Sequence, residues 1–130
     1  MAVRIVRLGT PRVPDEGLRL GTVRRPPRGV KKQDFARRDF YDLWLPDLAP
    51  SASLVSSAMA TDWSDSSWKR FAKRYQSEMK KPEPQRLLEL LAAMSRQTNF
   101  SVGCYCEDEA RCHRSVLRAL LAEKRAVLKA

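Results

Sequence analysis

The sequence lacks any long apolar run. No stretch of its 130 residues approaches the roughly 20 apolar residues that cross a bilayer. The opening MAVRIVRLG is too short an apolar stretch for a secretory signal. We therefore predict no membrane partner. A hydrophobic fraction of 43% and a charged fraction of 31% instead fit one globular domain over residues 1–130.

Cysteine and histidine are also scarce, with three cysteines and one histidine. An odd number of cysteines, two of them only two positions apart, argues against a secreted disulfide framework and predicts a reducing, cytoplasmic location. The chain has no P-loop and no dinucleotide fingerprint. No cofactor is therefore expected, and no familiar catalytic pattern assigns an enzymatic reaction.

Acidic residues are outnumbered, and the net charge is +10. The excess is uneven, because residues 1–38 hold 11 Lys and Arg against three acids, a net of +8. A basic first third can attract nucleic acid or another polyanion. The alternative is a solvated surface that only keeps the protein soluble.

Apolar periodicity predicts the elements that are present. Alternation indicates strands at residues 3–8, 18–23 and 100–106, and less clearly at 40–45. Helical spacing predicts four helices, which begin after Ser51, after Ser64, at Pro82 and near Asp108. Strands at both ends of the chain with helices between them predict an α/β fold, with a small, mostly parallel sheet covered by helices.

Four motifs follow one another in an order typical of a known family. They are Arg24 with Pro27–Gly29, the segment Trp44–Ser51, the helix positions Trp68, Phe71 and Tyr75, and Cys104 followed eight residues later by Cys112-His113-Arg114. On these motifs the chain resembles the YeaO-like uncharacterised family, also called domain of unknown function 488. The resemblance implies a compact α/β domain of cytosolic proteins whose biochemical activity is not established.

The chain departs from the family pattern in two places. Val23, Arg25 and Pro26 stand where the family has Asp, Leu and Trp, and Cys106 stands where members often have Glu. An activity that resides in the loop before Pro27 would be altered here.

All three cysteines and the histidine fall within residues 104–113. The first interpretation is packing, because free cysteine behaves as a small buried hydrophobe. A second is a zinc site made by Cys104, Cys106, Cys112 and His113, although the spacing lacks the paired C-x2-C knuckles of recognisable zinc sites. A third is a reactive thiol, which the acids at 107–109 would disfavour.

Basic side chains follow two of the predicted strands. If those strands are parallel neighbours, four side chains can converge on one pocket: Arg24, Arg28, His113 and Arg114. Arginine at strand and helix ends binds carboxylate or phosphate, and histidine can act as acid or base. The alternative is a structural His113, with Arg114 paired to Asp39 or Asp42.

Three functions follow from these observations. The first is binding of a small anionic, phosphate-bearing ligand by Arg24, Arg28 and Arg114, with His113 as the candidate catalytic residue. The second is a nucleic-acid-binding module that uses the basic first third, with Trp44 and Trp63 as possible stacking residues. The third is a structural protein stabilised by zinc.

Overall fold

A computed structural model describes residues 1–61 and 63–129. Its sheet has four strands: β1 (Val3–Arg7), β2 (Leu18–Gly21), β3 (Leu43–Trp44) and β4 (Phe100–Cys104). The spatial order is β1-β4-β2-β3, and every pairing is parallel. The predicted α/β class with a parallel sheet is therefore confirmed.

The central strand is β4, which is buried along its whole length. It pairs with β1 on one side and β2 on the other, so that Val102 lies beside both Ile5 and Leu20. Strands of a parallel sheet with both faces covered are expected to be apolar throughout, which fits the sequence FSVGC. The last strand in the chain order thus completes the middle of the sheet.

Four helices cover the sheet: α1 (Ala52–Met59), α2 (Asp65–Met79), α3 (Pro82–Ser95) and α4 (His113–Glu123). The Ser51 hydroxyl caps α1 by accepting a hydrogen bond from the Leu54 N–H. The predicted apolar stripe of α2 is confirmed, since Phe71, Tyr75 and Met79 are buried. Trp63 packs edge-on against Trp68 and Phe71 and belongs to this core.

The start of α4 differs from the sequence prediction. Residues Glu109–Arg111 form a separate 3-10 turn, because the Asp108 carboxylate accepts a hydrogen bond from the Ala110 N–H. Cys112 is then extended, with φ −127° and ψ 152°, and the helix begins at His113 rather than near Asp108. The preceding strand also ends at Cys104, which leaves Cys106 in a loop.

No helix within the described ranges is both long enough and apolar enough to cross a bilayer.

A buried ion pair joins three segments of the chain. Arg19 is fully buried and donates two hydrogen bonds to the Glu16 carboxylate, at 2.7 and 2.9 Å. The same guanidinium donates to the carbonyls of Thr10 and Asp39, and the Ser101 hydroxyl of β4 donates to Glu16 at 2.6 Å. Burial alone would raise the pKa of Glu16, but the hydrogen bonds from Arg19 and Ser101 outweigh it and lower the pKa.

We expect Glu16→Gln to lower the free energy of unfolding by about 3–5 kcal/mol, because it leaves the buried Arg19 charge uncompensated. The folded-state pKa of Glu16 lies below its ordinary value of 4.5, so its stabilisation is present above that pH and is lost as the pH falls through the folded pKa. The variant should therefore lose less stability on acidification than the wild type. Urea denaturation at several pH values measures both effects.

The matched control is Glu107→Gln, at a side chain that is 85% exposed and 3.6 Å from Arg7. It should change stability by no more than about 0.5 kcal/mol. Equal effects at the two positions would contradict the role given to the buried pair.

Candidate functional site

The three cysteines meet at the carboxyl end of β4. Cys104 is the last residue of the strand, Cys106 follows it in the loop, and Cys112 precedes the first turn of α4. Their Sγ atoms all lie within 4.8 Å of one another, and those of Cys104 and Cys106 are 3.7 Å apart. The extended backbone at Cys112 brings its thiol back to the strand end, so the 3-10 turn closes the cluster.

The thiols differ in exposure and in acidity. Cys104 and Cys112 are buried, as the packing interpretation predicted, whereas Cys106 is exposed. Hydrogen bonds from the Cys104 and Cys106 thiols lower the pKa of Cys112, and these outweigh the effect of burial. Hydrogen bonding to its two neighbours and burial raise the pKa of Cys104. Of the three thiols, Cys112 is therefore the one whose pKa is lowered.

His113 connects this cluster to β2. Its Nε2 lies 2.7 Å from the carbonyl oxygen of Thr22, which can only accept, so Nε2 carries the hydrogen. Its Nδ1 then faces the Cys112 Sγ at 3.8 Å. The imidazole is buried and packs edge-on against Tyr75, with the ring centres 5.3 Å apart. Neither ring nitrogen of His113 belongs to the group of ligand atoms that lie within 4.8 Å of one another, which consists of the three cysteine Sγ atoms.

Arg114 places a positive charge beside the thiols. Its side chain is 3% exposed, and Nη2 donates to the Cys106 carbonyl at 2.5 Å. Among the described residues, Nε has no hydrogen-bond partner and the guanidinium makes no salt bridge. The hydrogen bond with Cys104 lowers the pKa of the Cys106 thiol, but the hydrogen bond with Cys112 and burial raise it overall, and the charge of Arg114 only partly offsets this rise. The charge of Arg114 does contribute to lowering the pKa of Glu109, after the larger effect of Arg118, but the two side chains form no salt bridge within the described ranges.

The structure brings together only some of the four predicted pocket residues. The strands β2 and β4 are parallel neighbours, and His113 and Arg114 both lie beside the cysteines. Arg24 instead donates to the carbonyls of Pro46 and Pro50 and so holds the loop before α1.

The remaining members of the predicted pocket lie elsewhere. Arg28 is exposed on the surface. Asp39 and Asp42 form salt bridges with Arg12. Neither forms one with Arg114, which is the pairing that the alternative interpretation expected. Anion binding by the four residues stays a prediction.

Two contributions were missed at the sequence level. The carbonyl of Thr22 orients His113, and the Cys106 carbonyl binds Arg114. Every residue has a backbone carbonyl, so the sequence does not show which ones make such contacts. The crowding of every cysteine into residues 104–112 was the one available signal for the thiol cluster.

A comparison with protein-family models matches residues 3–125 to DUF488-N3a, described as the active DUF488-N3 subclade. The chain belongs to this family. The resemblance to domain of unknown function 488 is thereby confirmed over nearly the whole chain. No curated protein and no solved structure matches the chain. The DUF488-N3a family is uncharacterised, so the chemistry of the site must be argued from its own residues.

Differences in exposure predict how the thiols react. In reduced, chelator-treated protein, an aromatic disulfide reagent should modify one thiol quickly and two slowly, because Cys106 is exposed while Cys104 and Cys112 are buried. Stopped-flow absorbance counts the phases. Cys106→Ser should remove the fast phase, and three thiols reacting in one fast phase would be incompatible with a closed cluster.

The position of His113 predicts a structural cost. His113→Ala should lower the free energy of unfolding by on the order of 3 kcal/mol, since it leaves a cavity against Tyr75 and an unpaired carbonyl at Thr22. The exposed Arg28→Ala should change it by less than about 0.5 kcal/mol. Thermal or denaturant unfolding measures the difference. A fully stable His113→Ala protein would instead agree with a purely ligand-binding histidine.

Proposed function

We propose that Cys104, Cys106 and Cys112 bind one thiophilic divalent metal ion, zinc, at the carboxyl end of the sheet. The third function considered from the sequence also placed zinc here, but as a structural ion with His113 as a fourth ligand; the present proposal has the three cysteines alone. The observation that carries it is the meeting of three thiols within 4.8 Å on two elements and the loop between them. Thiolates are preferred zinc ligands, and three of them in one place are unusual without a common partner.

The spacing of the thiols fits a tetrahedral ion. With Zn–S bonds of about 2.3 Å, two thiolates of a tetrahedral site lie about 3.8 Å apart. The Sγ atoms of Cys104 and Cys106 are 3.7 Å apart, and all three lie within 4.8 Å of one another. Small side-chain rotations therefore suffice to bring all three thiols to bonding distance.

Charge balance also supports a metal. A divalent ion with three thiolates carries a net charge of about −1, by formal charges. The buried guanidinium of Arg114 lies against the Cys106 carbonyl and has no carboxylate partner among residues 1–61 and 63–129. An anionic metal centre beside it would supply a closer counter-charge than Glu109, which interacts with Arg114 without a salt bridge, and such outer groups typically tune metal affinity.

Three protein ligands leave a fourth position free. Structural zinc sites are closed by four protein ligands, whereas sites that act on a substrate keep one position for water or substrate. Cys106 is exposed, so the free position is reached from solvent on its side. Because the centre would already carry a net charge of about −1, a water molecule or a neutral donor atom would fit this position better than an anion.

The test is metal content and affinity. Protein purified under reducing conditions without chelator should carry one zinc per chain by native mass spectrometry. Cobalt substitution should give thiolate-to-cobalt charge-transfer bands. Cys106→Ser should abolish or strongly weaken both, and Arg114→Met should weaken zinc binding by roughly 10- to 100-fold as an outer-shell change.

Tyr105→Phe is the matched control, because it changes the residue between two ligands and removes only the hydrogen bond from its hydroxyl to the Arg25 carbonyl. It should bind zinc as the wild type does. A reduced wild-type protein that holds no zinc at micromolar free metal would overturn the proposal.

A further inference from the structure

A groove of about 500 Å³ opens beside β3, and none of the three cysteines lines it. This volume lies within the range of small-ligand sites. Its walls combine aromatic and apolar side chains, among them Pro26, Phe35, Tyr41 and Trp44, with one cation, Lys32, and one acid, Asp42. Most of the groove therefore belongs to the basic first third of the chain and the short strand that follows it.

Trp44 offers a fixed aromatic surface in this groove. Its indole N–H donates to the Val23 carbonyl at 2.7 Å, which holds the ring in place. The residue nevertheless remains 41% exposed. A ring that is already held loses little conformational entropy when a flat partner stacks on it.

Tyr41 supplies a polar group to the same groove. Its side chain is 4% exposed and packs on the backbone at Gly21, where an added Cβ would meet the ring at 2.3 Å. Among the described residues its hydroxyl has no hydrogen-bond partner. Because this hydroxyl is shielded from solvent, a polar group of a ligand would reach it only after neighbouring side chains move, and would then recover the free-energy cost of its missing hydrogen bond.

One cation, Lys32, lines the groove, and other cations lie near it in the sequence. Four side chains near it in the sequence make no salt bridge within the described ranges: Arg25, Arg28, Lys31 and Lys32. The neighbouring acids are already engaged, since Asp34 pairs with Arg37 and Asp42 pairs with Arg12. The groove thus presents an aromatic face with unneutralised positive charge beside it.

We propose that this groove binds single-stranded nucleic acid, with one base stacked on Trp44 and hydrogen-bonded to the Tyr41 hydroxyl. The phosphates on either side of that base contact the cations of residues 25–32. Stacking platforms next to basic residues are the usual means of binding single strands, and every base has a face that can stack. A peptide strand added to the exposed edge of β3 would use neither the charge nor the hydroxyl.

The test is fluorescence anisotropy of a labelled ten-nucleotide single strand and its duplex across a salt series. The wild type should bind the single strand more tightly than the duplex and retain binding near about 150 mM salt. Trp44→Leu should weaken binding about 5- to 150-fold, whereas Trp44→Phe, which keeps a stacking face, should retain most of it. Tyr41→Phe should weaken binding to a smaller extent.

Charge is tested with two matched double variants. Lys31→Gln/Lys32→Gln should reduce the steepness of the salt dependence by about 1.4, as two phosphate contacts to a single strand are lost. Lys80→Gln/Lys81→Gln removes the same charge from an exposed pair between α2 and α3 and should leave the steepness unchanged. Thermal unfolding of each variant confirms that it is folded.

Three outcomes would overturn the proposal. They are equal binding of single strand and duplex, wild-type affinity in the Trp44→Leu protein, and equal effects of the two lysine pairs. The Cys106→Ser protein should bind the oligonucleotide as the wild type does, even though it is expected to lose zinc. Failure of the nucleic-acid proposal can therefore be distinguished from failure of the metal proposal.

Discussion

The central position of β4 is the constraint on which the rest of this structure depends. A strand buried between two others must share its backbone hydrogen bonds with both, and β4 does so with β1 and β2 in parallel register. The carboxyl ends of these three strands therefore lie at one edge of the sheet. The segment that leaves β4 must turn there, and that segment carries the cysteines.

The ion pair of Glu16 and Arg19 secures this arrangement from the opposite end of the strand. The Ser101 hydroxyl of β4 donates to Glu16, and Arg19 lies within β2, so the pair connects two neighbouring strands. Arg19 also donates hydrogen bonds to the carbonyls of Thr10 and Asp39, which lie in loops. A buried charge held by four hydrogen bonds favours one register over its alternatives, because a shifted strand would leave that charge unpaired.

The two proposed sites have different physical origins. The thiol cluster depends on one local event, the 3-10 turn at Glu109–Arg111, which delays the helix and directs Cys112 back toward Cys104. The groove depends on a contact between residues far apart in the chain, the packing of Tyr41 against Gly21 of β2. A glycine inside a strand is expected to weaken that strand. Gly21 has no side chain, however, and this leaves room for the ring of Tyr41. The two proposed sites nevertheless share packing, because Tyr41 belongs to the same buried cluster as Cys104 and Cys112.

The sequence by itself determined the class of fold, the order of its elements and the family, because apolar periodicity and motif order are local properties of the chain. It predicted the caps at Ser51 and Ser64 and the buried stripe of Phe71, Tyr75 and Met79 for the same reason. Only the tertiary structure decided which side chains meet. It tied Arg24 to the loop before α1, left Arg28 exposed, and placed His113 and Arg114 beside three converging thiols. Those outcomes turn on backbone carbonyls and on contacts between residues far apart in the chain, which no spacing of residue types records.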